Sequence, residues 1–302
     1  MDEREWLANR FDEYRPHLRG LAYRMLGSLA EADDAVQDAW LRLNRYGANG
    51  VDNLGGWLTT VVARVCLNML RSRNLRREEQ IGLHVPDPLI SFEDEADPEH
   101  EVILADSVGL ALQVVLASLT PTERLAFVLH DMFDVSFAEI ALMADCSVES
   151  ARQLASRARR RVRGLAPVPD AEVAEQRRVV DAFLAAARGG DIDALVAVLA
   201  PDVLLRADGG TARPGYTRVV RGATAVARAA RVGARGGESI VLRPALVNGA
   251  AGLVLVEDGE AFAVWGFTVA GSKIVEIDAV FDPERVRQLL RLETPTTANR
   301  LQ

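Results

Sequence analysis

Lysine, histidine and cysteine are all scarce in this chain of 302 residues. Among 35 basic residues Lys273 is the only lysine, so nearly every positive charge is a guanidinium group, whose planar fork suits phosphate and guanine edges. Cys66 and Cys146 lie far apart in apolar helical patterns, and we expect buried thiols instead of a disulfide or a metal site. From residue 165 onward there is neither histidine nor cysteine, which removes the commonest general base, thiol catalysis and the usual transition-metal ligands from that part.

Long apolar runs are also absent. No stretch of about 18 apolar residues occurs, which argues against a membrane span and a membrane partner. The N-terminal sequence MDEREWLANRFDEY is charged and lacks the apolar core of a signal peptide. We therefore expect a cytoplasmic protein with two or three domains, each large enough to form its own core.

The net charge of −8 is unevenly distributed along the chain. Residues 87–106 carry eight acids and no lysine or arginine, and this segment alone accounts for the imbalance. Arginines are concentrated instead in residues 64–77 and 152–163. Such an asymmetry, more than the total charge, is typical of proteins that bind nucleic acid.

The most informative stretch is residues 147–163, SVESARQLASRARRRVR, which contains six arginines and one acid, Glu149. Upstream, TPTE at 120–123 and SFAE at 136–139 each form a capping box, and Ser147 can cap a third helix. Two short helices, a tight turn and an arginine-rich third helix predict a helix-turn-helix whose last helix enters the DNA major groove. The alternative for the arginine run taken alone is a solvated basic helix.

A predicted helix near the N-terminus, EADDAVQDAWLRL at 31–43, has two distinct faces. Its spacing places Val36, Trp40 and Leu43 in a core and an acidic-polar stripe on the opposite side. A solvated surface is the alternative interpretation of this stripe, which consists of Asp34, Gln37, Asp38 and Leu41.

A later helix, WLTTVVARVCLNMLRSRNLRR at 57–77, becomes steadily more basic. Arg64, Asn68 and Arg71 lie along one side, and Arg73 lies near the end. That side could follow a DNA backbone and offer Asn68 to a base.

Beyond a short linker at 165–171 the pattern changes from helices to strands. Amphipathic helices at 172–188 and 192–199 come first, and Asn248-Gly249 and Asp258-Gly259 are hairpin signals between later strands. This order predicts an α+β domain at 172–290 whose curved antiparallel sheet packs on helices, followed by a tail at 291–302 that we expect to be disordered. The strand-like runs are residues 203–207, 240–247, 253–257, 261–269 and 274–280.

Residues 10–164 resemble the extracytoplasmic-function (ECF) sigma factors of the sigma-70 family. DDAVQDAWLRL is similar to their region 2.2, which docks on core RNA polymerase, and the basic helix at 57–77 is similar to the region that opens and reads the −10 element. Residues 119–162 are similar to region 4, which reads the −35 element. The resemblance implies a region 2 helical bundle at 8–80, an acidic linker at 81–100 and a region 4 helix-turn-helix at 101–164.

The resemblance also implies roles for individual residues. The stripe of Asp34, Gln37, Asp38 and Leu41 would bind core polymerase. In the family the linker threads the polymerase cleft, where carboxylates can mimic RNA, although a merely soluble linker is an equal alternative from composition. Arg152 and Arg157 are expected to share the groove-facing side of the last helix. The implied DNA contacts are Arg64, Asn68, Arg71 and Arg73 toward the −10 element, and Arg152, Gln153, Ser156, Arg157 and Arg160 toward the −35 element.

Residues 172–290 resemble the SnoaL-like cone, a helix-covered curved sheet around a pocket, which a subgroup of these sigma factors carries at the C-terminus. Three short motifs of that subgroup have altered counterparts here: HVPDP at 84–88, DGGTAR at 208–213 and FDPERV at 281–286. From them we expect regulatory contacts between domains through Asp208, Gly209, Gly210, Asp282 and Pro283.

Glu276 and Asp278 share one face of the last strand, where a structural carboxylate pair is the commoner role. Together with Trp265 and Phe267 they could also line a pocket for a small ligand. Regulation by such a pocket is a better interpretation than catalysis.

The sequence thus predicts a multidomain protein, with two all-α sigma domains followed by an α+β SnoaL-like domain. Its expected function is promoter-specific transcription initiation with core RNA polymerase and promoter DNA as partners, controlled by the fused domain without a separate anti-sigma factor. We expect no enzymatic activity, cofactor or metal. Two alternatives stay open: a one-component transcription factor, which leaves the stripe, the basic helix and the acidic linker unexplained, and a cyclase-like or isomerase-like enzyme, against which the missing histidine argues.

Overall fold

The computed structural model describes residues 3–46, 53–77, 84–92, 109–165, 172–234 and 240–293. The chain forms two compact units, one built from residues 1–81 and 113–166 and the other from residues 82–112 and 167–302. The predicted linker at 165–171 and tail at 291–302 each begin inside a helix, because residue 165 ends one helix and residues 291–293 end another. Residues 166–171 and 294–302 lie outside the described residues. Within the described ranges, no helix is both long enough and apolar enough to cross a membrane.

The first unit is helical, as the periodicity predicts. Its core contains Leu18, Leu21, Met25 and Leu43, and Trp40 packs its ring 5.1 Å from that of Phe11. Both predicted capping boxes are present, at Thr120 and at Ser136. The helices are α1 (Glu3–Leu26), α2 (Leu29–Tyr46), α3 (Leu54–Arg77), α4 (Leu110–Ser118), α5 (Pro121–Phe127) with a π-helical continuation (Val128–Met132), α6 (Phe137–Ala144) and α7 (Val148–Leu165). Residues 110–112 of α4 belong to the second unit.

The two cysteines differ in their surroundings. Cys66 is buried in the first unit, as predicted, and burial raises the pKa of its thiol to about 12. Cys146, in the turn before α7, is only partly buried, so the expectation of two buried thiols holds for one of them.

The second unit contains one sheet with the strand order β1-β4-β5-β6-β7-β2-β3. Strands β4 to β7 form the predicted antiparallel meander, and Asn248 and Asp258 have the positive φ that their tight turns require. The strands are β1 (Ile90–Ser91), β2 (Leu199–Asp208), β3 (Arg218–Arg221), β4 (Ile240–Val247), β5 (Ala250–Glu257), β6 (Glu260–Ala270) and β7 (Lys273–Val280).

The sheet is mixed, because β2 runs parallel to β7, whereas the sequence predicts antiparallel pairing throughout. Helices α8 (Val173–Gly189), α9 (Ile192–Val198) and α10 (Ala223–Ala234) cover one face, where Phe183, Leu195 and Val226 pack against Leu205 and Phe267. A last helix, α11 (Pro283–Glu293), follows β7. The predicted α+β architecture, with a sheet covered by helices, is confirmed.

The predicted acidic linker differs most from its expectation. Its residues 84–92 do not form a free connection; they lie against the sheet of the second unit and contribute the edge strand β1, which pairs with β4. Val85, Leu89 and Ile90 are buried there. The acidic run at 93–101 lies outside the described residues.

Candidate functional site

The arginine-rich helix α7 packs on the first unit through one face and exposes the opposite face. Ala151, Ala155 and Ala158 are buried. In the first turn of the helix, Gln153 donates to Glu149 at 3.5 Å, and Arg152 lies 3.6 Å from the same carboxylate. The exposed residues include the predicted Arg152, Gln153, Ser156 and Arg160.

Arg157 lies on a different side of this helix from Arg152. Five residues correspond to about 140° around an α-helix with 3.6 residues per turn, so the expectation that the two share one side is wrong. Arg157 instead donates to Glu123 of α5 at 3.2 Å, and Arg161 donates to the other oxygen of that carboxylate at 3.1 Å. Burial alone would raise the pKa of Glu123, but hydrogen bonds from Thr120 and Arg157 and the charge of Arg161 hold it below its usual range.

On the basic side of α3, some residues are exposed and others are bonded to neighbouring helices. Asn68 and Arg71 are exposed as predicted. Arg64 is exposed too, but its guanidinium donates to the backbone oxygen of Leu142 in α6 at 3.0 Å. Arg73 is partly buried; it pairs with Glu31 and donates to the backbone oxygen of Leu26 at 3.1 Å, which makes it a structural residue of this bundle.

The C-terminal end of α1 is capped by side chains from later in the chain. Gln113 donates to the oxygen of Tyr23 at 2.7 Å, and Arg124 donates to that of Arg24 at 3.1 Å. The side chains of Gln113 and Arg124 are 0% and 3% exposed, respectively. The last carbonyl groups of a helix have no partner within the helix and favour positive charge, so this contact joins α1 to α4 and α5.

The stripe on α2 lies at the surface of the first unit. Asp34, Gln37 and Leu41 are exposed, and the Leu41 side chain is 53% exposed. Asp38 accepts a hydrogen bond from Arg42 at 2.8 Å, so part of its charge is compensated. The structure therefore brings the four predicted residues onto one exposed surface.

In the second unit, the three altered motifs meet around the buried carboxylate of Asp208. One Asp208 oxygen accepts from the backbone of Val85 at 2.9 Å and from Arg285 at 3.0 Å, and His84 lies 3.3 Å away. The other oxygen accepts from the backbone of Gly210 at 2.9 Å. Burial by itself raises the pKa of Asp208, but these donors together lower it to about 2.

Arg285 connects this carboxylate to the linker. Its guanidinium also donates to Asp87 at 2.6 Å and to the backbone oxygen of Val85. Farther along the linker, Asn248 donates from its backbone to the oxygen of Leu89 at 2.7 Å and accepts from the Leu89 backbone at 3.0 Å. We call this set of contacts the linker clasp: residues 84–92 held by Asp208, Asn248 and Arg285.

The predicted regulatory residues shape the clasp. A side-chain carbon at Gly210, where φ is +55°, would lie 2.2 Å from an Asp282 oxygen, and one at Gly209 would lie 1.9 Å from the backbone oxygen of Arg213. Asp282 caps α11 by accepting from the backbone of Glu284 and Arg285, each at 3.1 Å, and Pro283 begins the helix. The glycines therefore allow the loop to approach the start of the helix that carries Arg285.

The predicted ligand pocket is not formed as expected. Trp265 and Phe267 pair across the sheet with Ala279 and Ile277, so they face away from Glu276 and Asp278. Both carboxylates bind Arg206, Glu276 at 2.5 Å and Asp278 at 2.7 Å. Burial raises the pKa of both. Among the described residues, no group of three or more histidine, cysteine or acidic side chains is placed to hold a metal ion.

Several residues of these contacts were missed by the sequence reasoning. Arg285 lies in FDPERV and Asp87 in HVPDP, so the only signal for this ion pair was the opposite charge of two residues in separate motifs. Asn248 was interpreted only as a turn residue. Gln113 and Arg124 carried no local signal, because their partners are backbone oxygens far away in the sequence.

Comparison with known proteins gives consistent results. The family Sigma-70 region 2 matches residues 10–76, and Sigma-70, region 4 matches residues 109–162. ECF RNA polymerase sigma factor SigJ of Mycobacterium tuberculosis (strain ATCC 25618 / H37Rv) is 42% identical over 222 residues, which are 72% of this chain and 70% of that protein. The probable ECF RNA polymerase sigma factor SigI of Mycobacterium tuberculosis (strain CDC 1551 / Oshkosh) is 39% identical over 193 residues, which are 63% of this chain and 66% of that protein.

A solved structure extends the similarity to the second unit. The crystal structure of Mycobacterium tuberculosis extracytoplasmic function sigma factor SigJ matches with a TM-score of 0.72 and 33% identity. The match covers 93% of this chain and 98% of that one, so it includes the helical regions and the C-terminal sheet domain.

We predict that Asp208→Asn destabilises the protein in a pH-dependent way. A pKa lowered from 3.8 to about 2 corresponds to about 2–3 kcal/mol of unfolding free energy, because each unit is worth about 1.4 kcal/mol. This contribution is complete above pH 4 and is lost as the pH falls toward 2, where the folded carboxyl becomes protonated. The difference between wild type and Asp208→Asn in denaturant unfolding should therefore shrink over that interval.

The exposed Asp202 on β2 offers a matched control. The unfolding free energy of Asp202→Asn should be nearly the same as that of wild type at each pH from 7 to 2. A stability difference for Asp208→Asn that is the same at pH 7 and at pH 2 would contradict the assignment of this carboxylate as a charged, buried partner.

Proposed function

This chain belongs to the ECF RNA polymerase sigma factors, and from that premise we propose that its fused C-terminal domain controls when it starts transcription. Sigma factors of this family bind core RNA polymerase and promoter DNA. The observation that carries the proposal is the linker clasp, because the segment that joins region 2 to region 4 is bound by Asp208, Asn248 and Arg285 of the C-terminal domain. A domain that holds this linker limits how far the two regions can separate.

The capping of α1 supports the same restraint. Region 2 contributes the backbone oxygens of Tyr23 and Arg24, and the helices that lead into the helix-turn-helix contribute Gln113 and Arg124. The −10 and −35 elements are separate DNA sites, so a protein that reads both has to part its two reading regions. In this restrained form Arg64, a proposed −10 contact, is bonded to Leu142 of the helix-turn-helix. Opening would break these contacts and free Arg64.

We propose that α7 reads the −35 element with Arg152, Gln153, Ser156 and Arg160. They are exposed on the side of the helix away from Ala151, Ala155 and Ala158, and arginine and glutamine are suited to guanine and adenine edges. Arg157 orients α7 on Glu123, and its side chain, which is 48% exposed, contacts a DNA phosphate. We propose that Arg64, Asn68 and Arg71 contact the −10 element. Arg73 positions their helix through its ion pair with Glu31.

We propose that core RNA polymerase binds the α2 stripe of Asp34, Gln37, Asp38 and Leu41. An exposed leucine between acidic side chains gives such a surface one apolar anchor and a negative rim. The protein would thus act in the cytoplasm, where polymerase and promoters are found.

The C-terminal domain is proposed to be regulatory and not catalytic. Its buried carboxylates, Glu276 and Asp278, are engaged by Arg206, and they face away from the aromatic side chains that a pocket would need. Because the fused domain itself holds the linker, no separate anti-sigma factor is required for restraint.

Arg152→Ala should weaken recognition of the −35 element. Loss of a base contact costs about 1–3 kcal/mol and relaxes the preference at one position, whereas loss of a phosphate contact weakens every sequence and reduces the salt slope by about one. Fluorescence anisotropy with cognate and scrambled duplexes at several salt concentrations distinguishes the two. Arg159→Ala, on the same helix but bonded to Asp131, should keep the cognate preference. An Arg152→Ala variant with wild-type preference and salt slope would remove Arg152 from the interface.

The double substitution Asp34→Arg and Asp38→Arg should weaken binding to core polymerase by at least tenfold, because it places positive charge where the stripe is acidic. The double substitution Asp12→Arg and Glu13→Arg, at exposed positions on α1, is the charge-matched control. Competition with labelled wild-type protein for core enzyme measures both. If the folded double variant competes as well as the control, the stripe is only a solvated surface.

Release of the linker should increase transcription. Arg285→Ala removes the contacts to Asp87, Val85 and Asp208, so at equal core occupancy we expect about tenfold more transcript in vitro, and the same direction for a 1–166 truncation. Arg218→Ala, at an exposed arginine on β3, should behave as wild type. Equal output from full-length, truncated and Arg285→Ala proteins would show that the C-terminal domain is a passenger.

A further inference from the structure

The second unit contains a groove that none of the functions above uses. It follows the side of α11 and the turn between β5 and β6, and it has two adjoining parts of about 400 Å³ and 340 Å³. Glu260, Ala261 and Arg287 line both parts. One part extends to Arg213 and Phe262, and the other extends to Arg243 and the linker residue Phe92.

Each part contains an arginine stacked on an aromatic ring. The Arg213 guanidinium lies 5.3 Å from the ring centre of Phe262 and 5.8 Å from that of Tyr216, and the Arg243 guanidinium lies 3.4 Å from that of Phe92. Stacking fixes the plane of a guanidinium and directs its N–H groups sideways, which is the geometry that binds carboxylate or phosphate. Aromatic stacking therefore orients Arg213 for an anion, whereas the unstacked Arg287, which lines both parts of the groove, is held by a bond from its Nε to the backbone oxygen of Pro283 at 3.2 Å.

The remaining lining residues define the rest of the ligand. Val254, Val256 and Leu290 provide an apolar surface beside the arginines. Glu257 and Glu260 face the same groove, and in the described part of the chain neither forms an ion pair with Arg213 or Arg287. Their carboxylates can accept hydrogen bonds from hydroxyl or amino groups of a bound molecule.

We propose that this groove binds a small organic anion, with its carboxylate or phosphate on Arg213 and Arg287 and an apolar portion on Val254, Val256 and Leu290. The site differs from the pocket predicted around Trp265 and Phe267, which lies on the other face of the sheet.

The site is linked to the clasp because Phe92 follows directly after strand β1. The groove has its complete wall only while residues 84–92 are bound to the sheet, so an anion that contacts Phe92 stabilises the docked linker. Resting on the proposed function, this makes the anion a signal that favours the restrained sigma factor. By reciprocity, release of the linker weakens anion binding by the same factor.

The test uses the full-length protein and 8-anilinonaphthalene-1-sulfonate, a fluorescent aromatic anion, as the probe. We expect one saturable site, with a Kd raised at least tenfold by Arg213→Gln and by Arg287→Gln. Arg188→Gln, at an exposed arginine at the end of α8 and outside the groove, is the matched control and should bind as wild type. Displacement of the probe by citrate or by inorganic pyrophosphate distinguishes a carboxylate ligand from a phosphate ligand.

Arg285→Ala tests the linkage separately, since Arg285 holds the linker and does not line the groove. This substitution should raise the Kd of the probe severalfold in the absence of polymerase. Binding that does not saturate, groove variants with the affinity of Arg188→Gln, or a probe that neither citrate nor pyrophosphate displaces would each overturn the proposed site. Those results would leave the transcription experiments with Arg285→Ala untouched, so the two proposals fail independently.

Discussion

The buried carboxylate of Asp208 is the interaction on which the arrangement of the second unit depends. A charged carboxylate removed from water is costly unless donors surround it, and here the linker contributes the backbone of Val85 while α11 contributes Arg285. If the linker left, Asp208 would lose donors and Arg285 would lose Asp87 and Val85 together. Linker binding and the packing of α11 are consequently one cooperative event.

Arginine has two uses in this chain, and composition alone does not separate them. Several guanidinium groups hold the fold together. Arg73 and Arg124 donate to the backbone oxygens of Leu26 and Arg24. Arg206 binds two carboxylates, and Arg285 binds the linker. A fork with five donors can satisfy several oxygens in a confined space, which the compact ammonium of lysine does less well. The abundance of arginine therefore overstates the nucleic-acid surface.

Local signals predicted much of this structure, and long-range pairing was not predictable from them. The capping boxes at Thr120 and Ser136 and the turns at Asn248 and Asp258 depend on neighbouring residues, so the sequence displays them directly. The parallel pairing of β2 with β7 and the docking of β1 on β4 depend on residues far apart. The same limit explains why the bond from Arg157 to Glu123 was not predicted, since nothing near Arg157 in the sequence identifies its partner.

The distance along the chain between the clasp partners has a consequence for synthesis. Asp87 and Arg285 are 198 positions apart, so the linker leaves the ribosome well before the helix whose arginine binds it. Because domains fold in order from the N-terminus as they emerge, each new molecule passes through a stage in which the helices of the first unit are complete and the linker clasp has not yet formed. The rate of translation through the last third of the chain therefore determines how long each newly made copy exists before the linker clasp forms, which, on the proposed function, is the time for which it is unrestrained.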